Sequence, residues 1–238
     1  MINSKTNLLL EALPADERHL LKTSLNVVDL AQHHVLFDVG GTIDTIYFPT
    51  DAVISLVMPL STGEVVETAM VGCDGVVGAA AALNGRQSLN RAIVEVGGQA
   101  LSCEVEPLKG LLDKYQNIRA LIGAHEQALF AQAQQSAACN ATHVVESRFA
   151  RWLLRAADLC GSDELPLTQE YIAQMLGVRR TSVTLVARTL QKAGLIRYAR
   201  GHIKIVDKPA LQETACECYH TVKMNYENIL RRASRKDT

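Results

Sequence analysis

The spacing of apolar residues changes several times along this chain, and each change predicts a different kind of element. Leu8, Leu9, Leu13, Leu20 and Leu21 recur at helical intervals on either side of Pro14, the pattern of an opening amphipathic helix broken by the proline. Beyond them apolar residues come in short runs, at 35–37, 45–48, 52–58, 65–71, 92–96 and 99–105. Turn-forming stretches such as Asp38-Val39-Gly40-Gly41, Pro49-Thr50-Asp51 and Ser61-Thr62-Gly63 divide them. Such runs predict short strands in an antiparallel sandwich or small barrel. Gly97-Gly98, between the last two, predicts a tight turn with positive φ. The Gly- and Ala-rich segment 72–85 predicts a turn and short helix where backbone approaches closely.

From 108 to 142 strand signals vanish, and Ala, Leu, Gln and Glu with no proline predict one long helix interrupted only by Gly110 and Gly123. Ile118, Leu121, His125, Ala128, Gln132, Gln135 and Cys139 follow an approximate heptad, with polar lapses in its second half. This predicts a helix that pairs with a mate while also packing on its own domain, Gln132 and Gln135 helping to fix register. An ordinary domain-packing helix is the other reading of the same stripe. A further helix is expected at 146–159, with Phe149, Trp152, Leu153 and Ala156 on one face. Gly161-Ser162-Asp163 and Pro166 break the chain before Thr168, which can cap the next helix.

The segment 167–196 has the pattern of two short helices meeting at a sharp turn. Ile172, Leu176, Val178, Val183 and Val186 supply apolar anchors, Ala173 permits close approach, and Gly177 occupies the turn. Burying Val183, Val186 and Leu190 turns Arg180, Thr181, Thr184 and Arg188 to the opposite side. Alternation at 195–198 and 203–206 around Ala199-Arg200-Gly201-His202 predicts a wing whose tip can reach a phosphate.

Charge changes the picture. The net of −1 divides into −7 for residues 1–110, with 6 Lys/Arg against 13 Asp/Glu, and +6 for residues 111–238, with 18 against 12. Residues 178–208 hold eight bases (Arg179, Arg180, Arg188, Lys192, Arg197, Arg200, Lys204, Lys208) and the single acid Asp207, the concentration expected of a surface that tracks phosphates. Arginine pairs bidentately with guanine, and hydroxyls and the Thr methyl suit base edges. Thr168, Gln169, Arg179, Arg180, Thr181, Ser182, Thr184, Arg188, Arg200 and His202 are therefore the candidate DNA contacts. Basic residues Arg231, Arg232, Arg235 and Lys236 in the tail are further phosphate candidates.

No apolar run approaches the roughly 20 residues of a spanning helix, and residues 1–7 lack the pattern of a secretory leader, so no membrane partner and a cytoplasmic location are expected. Six scattered cysteines then default to reduced thiols. Cys216 and Cys218 lie closer together than a zinc half-site requires, and no other Cys or His pair completes four ligands by spacing, so no metal is expected. His33-His34 reads as a surface turn for the same lack of partners. Cys73 and Cys139 are redox candidates only if exposed; buried inert thiols are the ordinary case. No nucleophile–base pair, paired carboxylates or phosphate-cradling loop occurs at usable spacing, which argues against an enzyme.

An acidic β-rich half, a long helix and a C-terminal winged helix-turn-helix together resemble the Crp/Fnr family of bacterial transcription regulators. The resemblance extends over nearly the whole chain, is most specific at 168–206, and is supported by the run TIDTIYFP at 42–49. It implies an α+β chain: an N-terminal antiparallel β-roll (a cupin-like jelly roll) at 1–110 that senses a signal, a dimerisation helix at 111–145, and a winged helix-turn-helix at 146–238. A homodimer would read a palindromic promoter site in double-stranded DNA through helix 179–192, across the seam Ile118, Leu121, His125, Ala128, Gln132, Gln135 and Cys139. RNA polymerase is a candidate partner.

Departures from the family pattern narrow the effector. Cyclic-nucleotide members carry a Gly-Glu pair and an Arg followed by Ser or Thr and Ala. Here Gly78 precedes Ala79, Asn90 stands at the arginine place, and Arg91 follows one position late. Without a well-placed guanidinium a cyclic phosphate loses its strongest partner. Cyclic AMP is therefore not expected, and no cofactor is assigned. The alternative is a rearranged pocket around residues 72–92 that takes a cyclic nucleotide or other metabolite through Gly78, Arg86 and Arg91. No cysteine precedes Cys73, which removes the N-terminal iron–sulfur ligands of oxygen-sensing members. In the second helix, Thr181 replaces a frequent acid and Leu185 a frequent base, leaving Arg180 as the first choice for base readout.

Overall fold

Asn7 ties the start of the described chain to the roll. Its side-chain oxygen caps α1 (Leu8–Glu11) at Leu10 N–H, while its amide donates to the carbonyls of Pro49 and Gly75. The computed structural model describes residues 6–83 and 85–234; residues 1–5, and Arg235 and Lys236 of the basic tail, lie outside them. Pro14 splits the opening amphipathic stretch as expected, because its fixed φ suits the position just before α2 (Ala15–Lys22).

Strands β1 (Asn26–Leu30), β2 (Val35–Phe37), β3 (Thr45–Pro49), β4 (Val53–Pro59) and β5 (Val65–Val71) precede a short α3 (Ala80–Leu83), then β6 (Arg91–Val96) and β7 (Gly98–Glu104). They form two antiparallel sheets, β1-β7-β3 and β2-β6-β4-β5. The apolar runs marked all of these except β1, whose side chains are mostly exposed and carry no clean alternation. Gly97-Gly98 differs from expectation. Neither residue has positive φ, and β6 and β7 do not pair, so the dipeptide carries the chain from one sheet to the other. Glycine is required there by close approach instead: a Cβ on Gly98 would stand 2.7 Å from the Ala52 nitrogen.

The long helix is two helices, α4 (Val105–Lys114) and α5 (Gln116–Thr142), with the break at extended Tyr115 and at neither glycine. Glu17 of α2 causes the new start. Its buried carboxylate accepts the Ile118 N–H at 3.2 Å and the Asn117 amide at 2.8 Å, capping α5 from another element.

The predicted seam of α5 turns inward. Ile118, Leu121, His125, Ala128, Gln132 and Cys139 are buried within their own chain, and Gln135 is half-buried. His125 Nε2 accepts the Val76 N–H at 3.2 Å; Gln132 donates to the Met70 carbonyl at 3.2 Å and accepts from the Tyr226 hydroxyl at 2.9 Å. These residues hold the roll and a later helix, so they are corrected from partner-facing to domain-packing positions. A second stripe, Ala120, Gly123, Gln127, Phe130, Gln134, Ala137 and Ala141, repeats at the same three-and-four spacing. It faces outward, with Phe130 66% exposed.

Helix α6 (Val145–Cys160) ends in left-handed Gly161. The winged part follows: β8 (Glu164–Leu165), α7 (Gln169–Leu176), α8 (Arg180–Lys192), β9 (Ile196–Ala199), β10 (His202–Ile205) and α9 (Lys208–Thr214), its sheet ordered β8-β10-β9. The last helix, α10 (Cys218–Ser234), leaves the winged helix and lies along α5, where Val222 and Tyr226 pack on Ala128.

The two halves are fused by one apolar core, in which Val53, Val57, Met70 and Val96 of the roll meet Trp152, Leu153, Ile172, Leu176 and Val183. Polar groups are buried in the same region. Trp152 donates to Glu67 at 3.0 Å and Gln32 donates to the Pro166 carbonyl at 2.6 Å. Arg155 holds Asp74 with both terminal nitrogens.

Candidate nucleic-acid interface

Two local features set the angle between α7 and α8. Thr168 caps α7 by accepting the Tyr171 N–H, and Gly177 ends it at φ +60°, a conformation that costs an L side chain about 1–2 kcal/mol. Ile172, Ala173, Leu176 and Val183 are buried, and Val178 and Val186 are half-buried. Thr184 also joins the helices: its hydroxyl lies 2.6 Å from Gln169 Oε1 and 3.0 Å from the Arg180 carbonyl. Thr184 and Gln169 thus fix the crossing of α7 over α8.

The remaining candidates are exposed or half-buried. Arg179 at the N-cap of α8, then Arg180, Thr181 and Arg188, are exposed, with Ser182 half-buried beside them. The positive end of a 13-residue helix adds to the two guanidiniums. Arg180, 67% exposed, lies 3.6 Å from equally open Glu170 on α7, a contact of small energy that leaves the guanidinium available. Leu185, 67% exposed, shares this face. The wing presents Arg197, Arg200 and His202, and its tip turns through Arg200 at φ +50° and Gly201 at φ +80°. Lys204 instead pairs with Glu164 at 2.6 Å and holds that carboxyl below its ordinary range. Arg197 and Glu170 were not among the predicted contacts, although alternation within β9 places Arg197 outward beside Tyr198.

The three effector candidates are already engaged. Gly78, at φ +85°, turns the chain into α3 against Ile43 and the Thr45 carbonyl. Arg86 lies 3.2 Å from Asp44 and 3.6 Å from Glu106. Arg91 grips Asp38 at 3.0 and 2.7 Å, a bidentate pair that holds the aspartate below its ordinary pKa, chiefly through the hydrogen bond. Each guanidinium faces a carboxylate of its own chain.

One expectation from spacing alone is corrected here. Cys216 and Cys218 do acquire a second pair of ligand-type side chains, because the fold brings Cys139 of α5 and His143, the residue that caps its C-terminus, beside them. Cys73, by contrast, is partly buried and its thiol is pushed up to about 12 by desolvation, which leaves it unreactive. His33 packs its ring 4.7 Å from that of Tyr171.

Residues 147–214 match the Crp-like helix-turn-helix domain family. No curated protein matches the sequence. Many solved structures share the fold, among them the following three. A putative Crp/Fnr regulator of Eubacterium rectale is 19% identical, with a TM-score of 0.62 over 86% of this chain and 97% of its own. A Crp-family regulator of Thermus thermophilus is 22% identical, with a TM-score of 0.66 over 79% and 96%. The c-di-GMP-responsive regulator CLP of Xanthomonas campestris is 15% identical, with a TM-score of 0.65 over 81% and 99%. Among the described residues no helix is long and apolar enough to cross a membrane. The chain thus carries a Crp-like helix-turn-helix domain on the β-roll and long-helix fold of the Crp/Fnr transcription regulators.

Proposed function

We propose that this protein is a homodimeric, sequence-specific DNA-binding regulator whose roll does not take cyclic AMP. The observation that carries the reading is the exposed cluster Arg179, Arg180, Thr181 and Arg188 on one face of α8, continued by Arg197 and Arg200 of the wing. Arg180 reads a guanine, Leu185 suits a thymine methyl, and Arg179, Arg200 and Arg197 meet phosphates. Arg180→Ala is expected to weaken binding to the cognate site by roughly 1–3 kcal/mol and to relax preference at one base position per half-site. Arg200→Ala should weaken all sequences alike and flatten the salt dependence. A selection for bound sequences followed by fluorescence titration at several salt concentrations checks both, and an unchanged Arg180→Ala profile removes Arg180 from base readout.

A second copy of the chain covers the outward stripe of α5. The support is the three-and-four spacing of small residues around exposed Phe130, beside an open groove of about 440 Å³ that includes Ala120, Ala124, Gln127 and Ala131. Phe130→Glu is expected to halve the mass seen by sedimentation and to weaken binding to a two-half-site operator at least about tenfold, with a single half-site little affected. Against cyclic AMP, the bidentate pairing of Arg91 with Asp38 supports a roll without a phosphate clamp.

A further inference from the structure

Four side chains with metal-ligand chemistry meet where the winged helix joins the rest of the molecule. Cys139 and His143, one turn apart near the end of α5, precede residue 147; Cys216 and Cys218 follow residue 214 at the start of α10. Their ligand atoms all lie within 4.8 Å of one another. Cys139 Sγ is 3.5 Å from Cys216 Sγ, and Cys218 Sγ is 3.6 Å from His143 Nδ1. Around a tetrahedral zinc, with Zn–S near 2.3 Å and Zn–N near 2.05 Å, sulfurs stand about 3.8 Å apart and a sulfur and nitrogen about 3.6 Å. Those two contacts lie within about 0.3 Å of the corresponding edges, so closing the site takes only small side-chain movements.

The surroundings fit the same occupant. His143 presents Nδ1 to the cluster while its Nε2 lies 3.2 Å from Glu217 Oε1, the outer carboxylate that orients a ligating imidazole. Gln135 donates to Cys218 Sγ at 3.0 Å. The three cysteines are buried, and His143 is half-buried at the edge of the cluster. Arg148 and Arg151 are buried close by, each with an Nε lacking a hydrogen-bond partner, and neither forms an ion pair among the described residues. Three thiolates, one imidazole and a divalent cation carry a net charge of −1, which would offset one of these two guanidinium charges.

We propose that Cys139, His143, Cys216 and Cys218 form a tetrahedral Zn²⁺ site that staples the two boundaries of the winged helix-turn-helix domain to each other. Binding displaces thiol protons and joins the end of α5 to the start of α10, so the DNA-reading domain is closed at its base. A disulfide between Cys139 and Cys216 would use only two of the four ligands and supply no negative charge to offset the two arginines.

The test uses the full chain, produced with zinc supplied and purified under reducing conditions without chelator. About one zinc per chain is expected by elemental mass spectrometry, retained in Cys160→Ser and reduced below about a tenth in Cys216→Ser/Cys218→Ser. Because that double variant can fail to fold, His143→Gln at the partly exposed rim provides a second reading, with circular dichroism unchanged and zinc affinity lowered at least about tenfold. Replacement by Co²⁺ should give tetrahedral d–d bands and a thiolate charge-transfer band. A reduced wild-type chain that holds no zinc, a double variant that retains it, a Co²⁺ spectrum without thiolate charge transfer, or a Cys139–Cys216 disulfide as the native form would each overturn the proposal.

Discussion

Asp74→Ala is expected to destabilise the folded chain by about 3–5 kcal/mol, the cost of leaving a buried guanidinium without its anion. Arg155 holds Asp74 at 2.7 and 3.2 Å with side-chain exposures of 7% and 10%, so water cannot replace the lost carboxylate. The guanidinium also lies 4.7 Å from the centre of the Tyr226 ring. This one cation therefore joins the loop after β5, α6 and α10, and its loss of a partner should loosen all three together. Urea unfolding checks the magnitude. Asp74→Leu/Arg155→Met should recover much of the loss, because an apolar pair removes both desolvated charges. Equal destabilisation by the single and double variants would show that packing, not charge, carries the contact.

The second large effect is on pH. Glu67 on β5 accepts from the Ser55 hydroxyl and from Trp152 of α6, with Arg151 and Arg155 acting on it from the same helix. Glu95 lies on the other side of Ser55, beside Tyr171 of α7. Burial raises Glu67 from 4.5 to about 7 and Glu95 well above its ordinary value, Glu67 itself adding to the latter. A carboxyl that binds its proton more tightly when folded stabilises the fold fully below pH 4.5 and loses that contribution as pH rises through 7. For Glu67 the loss amounts to about 3 kcal/mol. Because the cluster lies between the roll and the winged helix, docking of the two should weaken over this window. Thermal unfolding from pH 5 to 8 is expected to show a falling Tm in the wild type. Glu67→Gln should flatten much of that fall and Glu67→Gln/Glu95→Gln nearly all of it; a wild-type curve flat over this range would refute the assignment.

Features governed by short-range chemistry were legible in the sequence. Thr168 as a cap and Gly177 as a left-handed turn each follow from what a few adjacent residues can do, and they sufficed to locate α7 and α8. The strands of the roll followed from apolar runs, but β1 did not, since its burial pattern is mostly open. What failed depended on distant contacts. The start of α5 is determined by Glu17, about a hundred residues earlier, and no local signal near Tyr115 records it. Two stripes of α5 share one period, so periodicity identified a heptad without saying which stripe meets the roll. The stripe with Ile118 and Leu121 is more apolar, and greater burial in the same chain is the physical reason it turns inward. The ligand cluster was hidden for a related reason, because Cys139 and Cys216 are brought together only when α10 folds back along α5.

The Val76–His125 hydrogen bond has a mechanical consequence. A Cβ on Gly75 would stand 2.6 Å from His125 Nε2 and 2.8 Å from the Val71 side chain, so the loop and α5 meet with no slack. The helix is in effect geared to that loop: a shift of the loop backbone by a fraction of an ångström must either break the bond or rotate α5 about its axis. Rotation would swing Phe130 and the outward stripe through the same angle, carrying a small movement in the roll to that exposed face.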